Sequence, residues 1–312
     1  MYKFIRFFNQ NRKQIFRVIL IIISFLILLQ VINGFVKRNN EKQNLNNKQN
    51  ITSNANDYNN QGLISDKSAV TGQSLSSSQM KSATITINNF INYCNEKDLE
   101  KAYNLLTDEC KVQMFNRLDV FEKAYYKNVF NGEKKSFTIE NWVGDTYKVN
   151  ISEDILSTGK ISDNYVKQDY ITVKKVKDEY KLNINGYIGY SEINKTTAND
   201  DISMKVICNN TYKDYDVYTI NITNKTDYTI ELDNLNSTKT LYLEDKKGMK
   251  YSYYNHELAE PMITINPGET KEVTIKFYST YVSTKEIKYI VFSNIIATQG
   301  QLSKNIEFKA KL

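Results

Sequence analysis

Histidine is all but missing from this chain: His256 is the single one among 312 residues. Its scarcity removes the usual general base from most catalytic designs and the usual ligand from most metal sites. His256 stands in "YSYYNHELAEP", and no G-x-S-x-G elbow, reactive-cysteine setting or H-E-x-x-H zinc motif accompanies it. It reads as a loop residue between two strands. Cysteine is scarce too. Cys94, Cys110 and Cys208 are odd in number and widely spaced, which makes neither a disulfide framework nor a metal site. They read as small buried apolar residues, with a Cys94–Cys110 bridge between two helices as the alternative. Proline numbers two and glycine eleven. Gly186 and Gly189, in "NGYIGY", lack the G-x-G-x-x-G spacing and following helix of a phosphate loop, and read as a turn into the next part of the chain. No catalytic residue, cofactor or metal is assigned.

Acidic residues are absent from positions 1–38, which hold seven of the 41 lysines and arginines. The rest of the chain carries 34 basic against 35 acidic residues, so the formal charge of +6 belongs to the N-terminus. A nucleic-acid-binding surface would leave that remainder positive, and no nucleic acid is expected as a partner. Inside the basic end, Val18 to Val36 reads "VILIIISFLILLQVINGFV", nineteen residues without a charge. One helical crossing of a bilayer needs roughly 20. Lys3, Arg6, Arg12, Lys13 and Arg17 precede the run and favour the cytoplasmic side. No small-x-small cleavage site follows it, so it reads as an uncleaved single-pass signal anchor rather than a signal peptide. The lipid bilayer is thus an expected partner of residues 18–36. Residues 1–17 would form a short cytoplasmic head, and the bulk of the chain would be extracellular.

Residues 37–83 are polar, and ten of the 22 from 39 to 60 are asparagine. Such a stretch cannot bury enough surface to offset its ordering entropy, and a disordered stalk is expected. Apolar periodicity then takes over. Ile87, Phe90, Ile91 and Cys94 form one helical stripe, and Leu99, Ala102, Tyr103 and Leu106 come next at i, i+3, i+4 and i+7. Asp98 and Thr107 stand where helix caps belong. Leu118, Phe121, Tyr125 and Val129 share a face of a third helix, which Asn131 and Gly132 stop. After Gly132 the period falls to two, through Phe137 and Ile139, Tyr147 to Ile151, Ile171 and Val173, and Tyr180 to Ile184.

"FINYCNEKDLEKAYNLL", an amphipathic helix, a short charged break and an "xxDxxxAYxLL" helix, resembles the nuclear transport factor 2-like (cystatin-like) superfamily. With the strands after it, the resemblance covers residues 84–195. It implies an α+β cone: three helices, then an antiparallel sheet curved around them to an open mouth. Enzymes of that fold place His, Asp or Tyr in the cone, and this region has no histidine. Asp98 and Asp108 sit at helix starts, and Asp145, Asp163 and Asp169 at strand ends or loops, where a buried carboxylate of raised pKa would be the remaining route to catalysis.

Residues 201–312 keep the period of two almost throughout. Ile202 to Cys208, Tyr218 to Ile222, Tyr228 to Leu232, Val273 to Phe277, Tyr289 and Val291, and Ile306 to Leu312 are separated by turns at "TNKTD", "EDKKG" and "INPGE". In the last, Pro267 and Gly268 suit the middle of a type II turn. Seven or eight short strands resemble an immunoglobulin-like β-sandwich, and "INPGETKEVTIKF" resembles bacterial surface domains of that class; the Cys…Trp…Cys signature of antibody domains is absent.

The candidate contact residues are aromatic. Tyr103, Phe121 and Trp142 are candidates for lining the cone. Tyr251, Tyr253 and Tyr254 beside His256, with Tyr278 and Tyr281 after a strand, are candidates for loop-tip contacts to a sugar or a protein. Packing in a core or on a strand face is the plainer reading of the tyrosines, and core packing that of Trp142. Together these features lead to the expectation of a membrane-anchored, non-enzymatic binding or assembly module of a Gram-positive-type bacterial envelope, with an envelope protein as partner. The alternative is a sensor whose cone takes a small ligand or a cell-wall glycan fragment, and a hydrolase or isomerase comes third.

Overall fold

The computed structural model describes residues 63–65, 67, 68, 70, 72, 76–154, 166–233, 239–299 and 302–312. The expected head, anchor and first part of the stalk, 1–62, lie outside the described residues. Among the described residues no helix is long and apolar enough to cross a membrane. Helices and mostly antiparallel sheets surround two hydrophobic cores.

The helical part starts earlier than its apolar pattern. Ser76 caps α1 (Ser77–Asn95) by accepting the amide of Gln79, and Met80, Ala83 and Thr84 are already buried. The stalk expected to reach 83 therefore ends before this helix, and its residues 63–65 also pair as a strand. A serine-rich entry reads as tether because capping serines and linker serines look alike. Lys97, at φ 62°, breaks the chain after α1. Asp98 then caps α2 (Leu99–Asn104), and Thr107 caps α3 (Asp108–Met114), as their positions foretold. Thr107 also donates to Asn183 Oδ1, tying that cap to the sheet. The last helix is not regular. α4 (Leu118–Phe121) passes through a π-helical turn (Glu122–Tyr126) into α5 (Lys127–Val129). The extra residue of the π-turn widens the buried face, which takes in Tyr126 beside the expected Phe121, Tyr125 and Val129, while Leu118, ahead of the turn, stays on the surface.

Five strands close over these helices: β1 (Leu63–Ser65), β2 (Lys135–Val143), β3 (Thr146–Glu153), β4 (Lys167–Val176) and β5 (Glu179–Asn183), in that spatial order. All pairs are antiparallel except β1 with β2. Leu105 and Thr107 hydrogen-bond Leu182, so the loop between α2 and α3 covers the β5 edge. Ile139, Tyr147, Val149, Ile171 and Leu182 meet Ile87, Phe90 and Ile91 in the first core. Each such fully buried large side chain contributes about 1.5–3 kcal/mol.

The second core lies between two sheets. One runs β13–β8–β7–β6, from β6 (Tyr187–Ala198), β7 (Ile202–Tyr212), β8 (Tyr215–Asn224) and the later β13 (Thr270–Tyr278). The other is built from β9 (Thr229–Glu231), β10 (Leu241–Asp245), β11 (Lys250–Ser252), β12 (Thr264–Ile265), β14 (Ile287–Gln299) and β15 (Leu302–Lys311), with β14 at its centre. A short helix, α6 (Glu260–Ile263), precedes β12. Met204, Ile220 and Ile275 from the first sheet face Leu243, Phe292 and Phe308 from the second. Gly268 has φ 72° and the Glu269 amide bonds the Asn266 carbonyl, the expected turn around Pro267. In β14, Ile290, Phe292, Ile295 and Ala297 face the core, with a bulge between Phe292 and Ile295. The pair read from the sequence, Tyr289 and Val291, lies on the opposite face. Val291 is buried there as well, so apolar residues on both faces blur the alternation.

β6 serves both cores. Tyr187, at its start, is buried in the first, and the strand then pairs with β7 as far as Ala198–Ser203. The sequence-drawn range 84–195 thus ends inside a strand of the second sheet pair.

Candidate binding groove

The β10–β11 turn and the loop after β13 enclose a surface groove of about 920 Å³. The turn is set by Asp245, whose Oδ1 accepts the amides of Lys247 and Met249 at 2.8 Å each, and by Gly248 at φ 79°. Tyr251 donates to Asp245 Oδ2 at 3.2 Å. Burial, and then the Asp245 carboxylate, hold the Tyr251 phenol above its ordinary pKa, so it remains a donor.

Lys285 anchors the facing loop. Its ammonium meets Asp216 Oδ2 at 3.2 Å, the carbonyls of Ser279 and Thr280 at 3.3 and 3.1 Å, and the Ser279 hydroxyl. Asp216 is buried and the Lys285 side chain is mostly so, which fixes a charged side chain in the groove lining. Tyr278 forms one wall. It stacks on Tyr254 with centroids 3.3 Å apart and planes 19° apart. Lys276 lies 4.3 Å from the Tyr254 ring and 4.2 Å from Tyr215, and bonds Glu257 at 2.8 Å. The rings continue inward from Tyr215 to Tyr212 at 4.3 Å and to Tyr187 at 5.2 Å, which belongs to the first core.

The structure sorts the sequence candidates. Tyr251 and Tyr254 line the groove. His256 is exposed on a 3₁₀ turn (Asn255–Glu257), edge-on to Tyr254 at 5.8 Å. Tyr253 is not on a loop tip: it is fully buried and donates to Asp233 at 2.7 Å, because alternation along the strand turns it inward. Phe121 does not line an open mouth. It lies in a buried cluster with Phe90, Phe115 and Tyr125, at centroid distances of 5.6 to 6.3 Å. Tyr103 caps that cluster and donates to the Phe115 carbonyl at 2.8 Å. Trp142 instead meets Tyr170 at 4.7 Å and Tyr281 at 6.1 Å, where the two cores adjoin.

A buried carboxylate of raised pKa does exist. Asp169 is pushed up by burial, against hydrogen bonds from Tyr125, Asn185, Tyr170 and Gly186. Tyr125 reaches its Oδ2 at 2.7 Å and the Tyr170 amide its Oδ1 at 2.7 Å, so both oxygens are engaged within the core. Cys94 and Cys110 are free and buried, not bridged, and burial pushes the Cys110 thiol up to about 12. Gly186 makes the expected turn at φ 72°, and Gly189 leaves room for the Lys174 ammonium, which pairs with Glu109 at 3.1 Å.

Sequence reasoning missed Met249, Val282 and Lys285 as groove residues. A lysine 69 positions from its aspartate leaves no local signal. Tyr278 carried one, as the strand-end tyrosine opposite a tyrosine cluster.

No family model matches the chain, and no curated protein matches it. Among solved structures it is similar to a conserved hypothetical protein from Bacillus anthracis, at 13% identity and a TM-score of 0.25, over 39% of this chain and 95% of that one.

Proposed function

We propose that this chain is a non-enzymatic binding module of a bacterial cell envelope, anchored through residues 18–36, which docks a protein partner in the groove beside Tyr278. In this reading the first half is a nuclear transport factor 2-like domain and the second an immunoglobulin-like sandwich. Element order supports those names: helices ahead of an antiparallel meander, then two sheets around one core.

The observation that carries docking is the grouping of Met249, Tyr278 and Val282. They are 58%, 48% and 36% exposed, yet line one groove. Around them stand charged residues, Lys246 paired with Glu286 at 3.2 Å, Lys285 with Asp216, and Lys247 at the turn. An apolar centre within a polar rim is the anatomy of a protein interface. The sensor alternative has less support, because Phe121, which it would place at an open mouth, is buried against Phe115 and Tyr125. A hydrolase or isomerase would need Asp169, whose oxygens hold Tyr125 and a backbone amide.

The test is a photo-crosslinking residue at Met249 in the full chain, in intact cells, with mass spectrometry of the captured proteins. Docking requires an envelope protein to be captured there and not from the same probe at exposed Lys205 in β7. No capture at Met249, or equal capture at both positions, would overturn it.

A further inference from the structure

We propose, resting on the docking reading above, that the groove receives an uncharged proline-bearing segment of the partner, extended as a polyproline II helix, with a pyrrolidine ring on the open face of Tyr278. One face of Tyr278 is covered by Tyr254, while the side chain as a whole is about half exposed. Lys276 backs Tyr254 in turn. The result is a braced ring with a face turned to solvent, a stacking platform for another flat, apolar ring.

The electrostatics say what kind of segment arrives. Lys246 holds Glu286, Lys213 holds Asp214 at 2.9 Å, and Lys285 is bound to Asp216. Asp245 is occupied by two backbone amides and Tyr251. A basic ligand side chain would have to displace the partner of one of these carboxylates, whereas a proline segment leaves them in place, and Lys247, the remaining cation of the lining, can donate to its carbonyls.

Strand addition is partly blocked here. Beyond β11, Tyr253 bridges to Phe277 and the Tyr254 amide bonds the Lys276 carbonyl at 2.9 Å. The stretch of β13 just before Tyr278 therefore already has a neighbour, which leaves less of this edge for a partner strand to extend. A polyproline II segment needs none. Its carbonyls point outward without internal partners, and the hydroxyls of Thr280 and Thr284, both groove residues, offer donors to them. Met249 and Val282 flank the platform and suit pyrrolidine methylenes.

The experiment titrates end-capped decaproline, and chitotetraose in parallel, into the full-length chain in mild detergent by calorimetry. Decaproline should bind the native chain. Tyr278→Ala should weaken it about tenfold or more, and Tyr278→Phe should keep it within about twofold, because the ring face does the stacking. Tyr278 is a surface residue, and unchanged melting of the variants would confirm their fold. Absence of decaproline binding at millimolar concentration, or equal binding to Tyr278→Ala, would overturn the proposal. So would chitotetraose binding that Tyr278→Ala abolishes, which would make the occupant a glycan. If decaproline fails while the Met249 probe still captures an envelope protein, only the proline segment falls; if both fail, docking in the groove falls with it.

Discussion

The backbone N–H of Lys213 donates to the carbonyl of Gly186 at 2.8 Å, pinning the tip of the β7–β8 hairpin to the turn that closes the first core. The carbonyl of Lys213 accepts the amide of Tyr281 at 2.8 Å, and that of Asp214 accepts Ser279 at 3.2 Å. The groove loop thus hangs from the same hairpin that meets the first core. The Lys213 ammonium lies 4.7 Å from the Tyr170 ring.

Lys213→Pro removes the donor to Gly186 and should uncouple the two cores. The native chain is expected to melt in one calorimetric transition and the variant in two. Lys213→Ala, which keeps that donor and loses the cation–π contact, should shift stability by about 0.5–1 kcal/mol and keep one transition. A single unshifted transition in Lys213→Pro would show that other contacts carry the junction.

Lys285→Met strands the buried Asp216 carboxylate without a cation. The expected cost in urea unfolding is about 3–5 kcal/mol. Replacing both partners, Lys285→Met with Asp216→Leu, should recover most of it, since no charge is then left uncompensated. If the double variant is as unstable as the single one, the lysine's bonds to Ser279 and Thr280 matter more than the ion pair.

Asp169 sets a pH dependence. Burial raises its carboxyl above the ordinary 3.8, so the folded chain holds this proton more tightly than the unfolded chain does. Its contribution to stability is greatest in acid and declines as pH climbs from about 4 through the raised value. Asp169→Asn should flatten that part of the curve, which urea midpoints measured from pH 4 to pH 8 would reveal. An unchanged slope would place the titration elsewhere.

Phe121→Ala opens a hole among Phe90, Phe115 and Tyr125 and should cost about 3–5 kcal/mol. Capture by the Met249 probe should persist at temperatures where the variant stays folded. Loss of capture in a folded variant would return the first core to consideration as a binding site.

Local signals in the chain were readable from the sequence. Asp98, Thr107, Asn131 and the Pro267–Gly268 pair act on neighbours within four residues, and each is where its chemistry asks it to be. The apolar stripes also announced the cores. The features that escaped depended on distant partners or on phase. Ser76 starts α1 within a serine-rich run, and the π-turn at Glu122 adds Tyr126 to a face that otherwise holds the expected Phe121, Tyr125 and Val129. Tyr253 and Tyr254 adjoin in sequence, yet one is fully buried and the other turns to the groove. The Tyr254–Tyr278 stack joins residues 24 positions apart, so composition marked its tyrosines without saying which ones meet.

The strand β6 bears on how such a chain changes over generations. Its first residue, Tyr187, fills the first core, and its later residues complete a sheet of the second. A recombination point within it would leave one half with a hole or the other with an unpaired edge. An exchange that swaps one half for a foreign counterpart therefore keeps both cores whole only if this strand passes across intact.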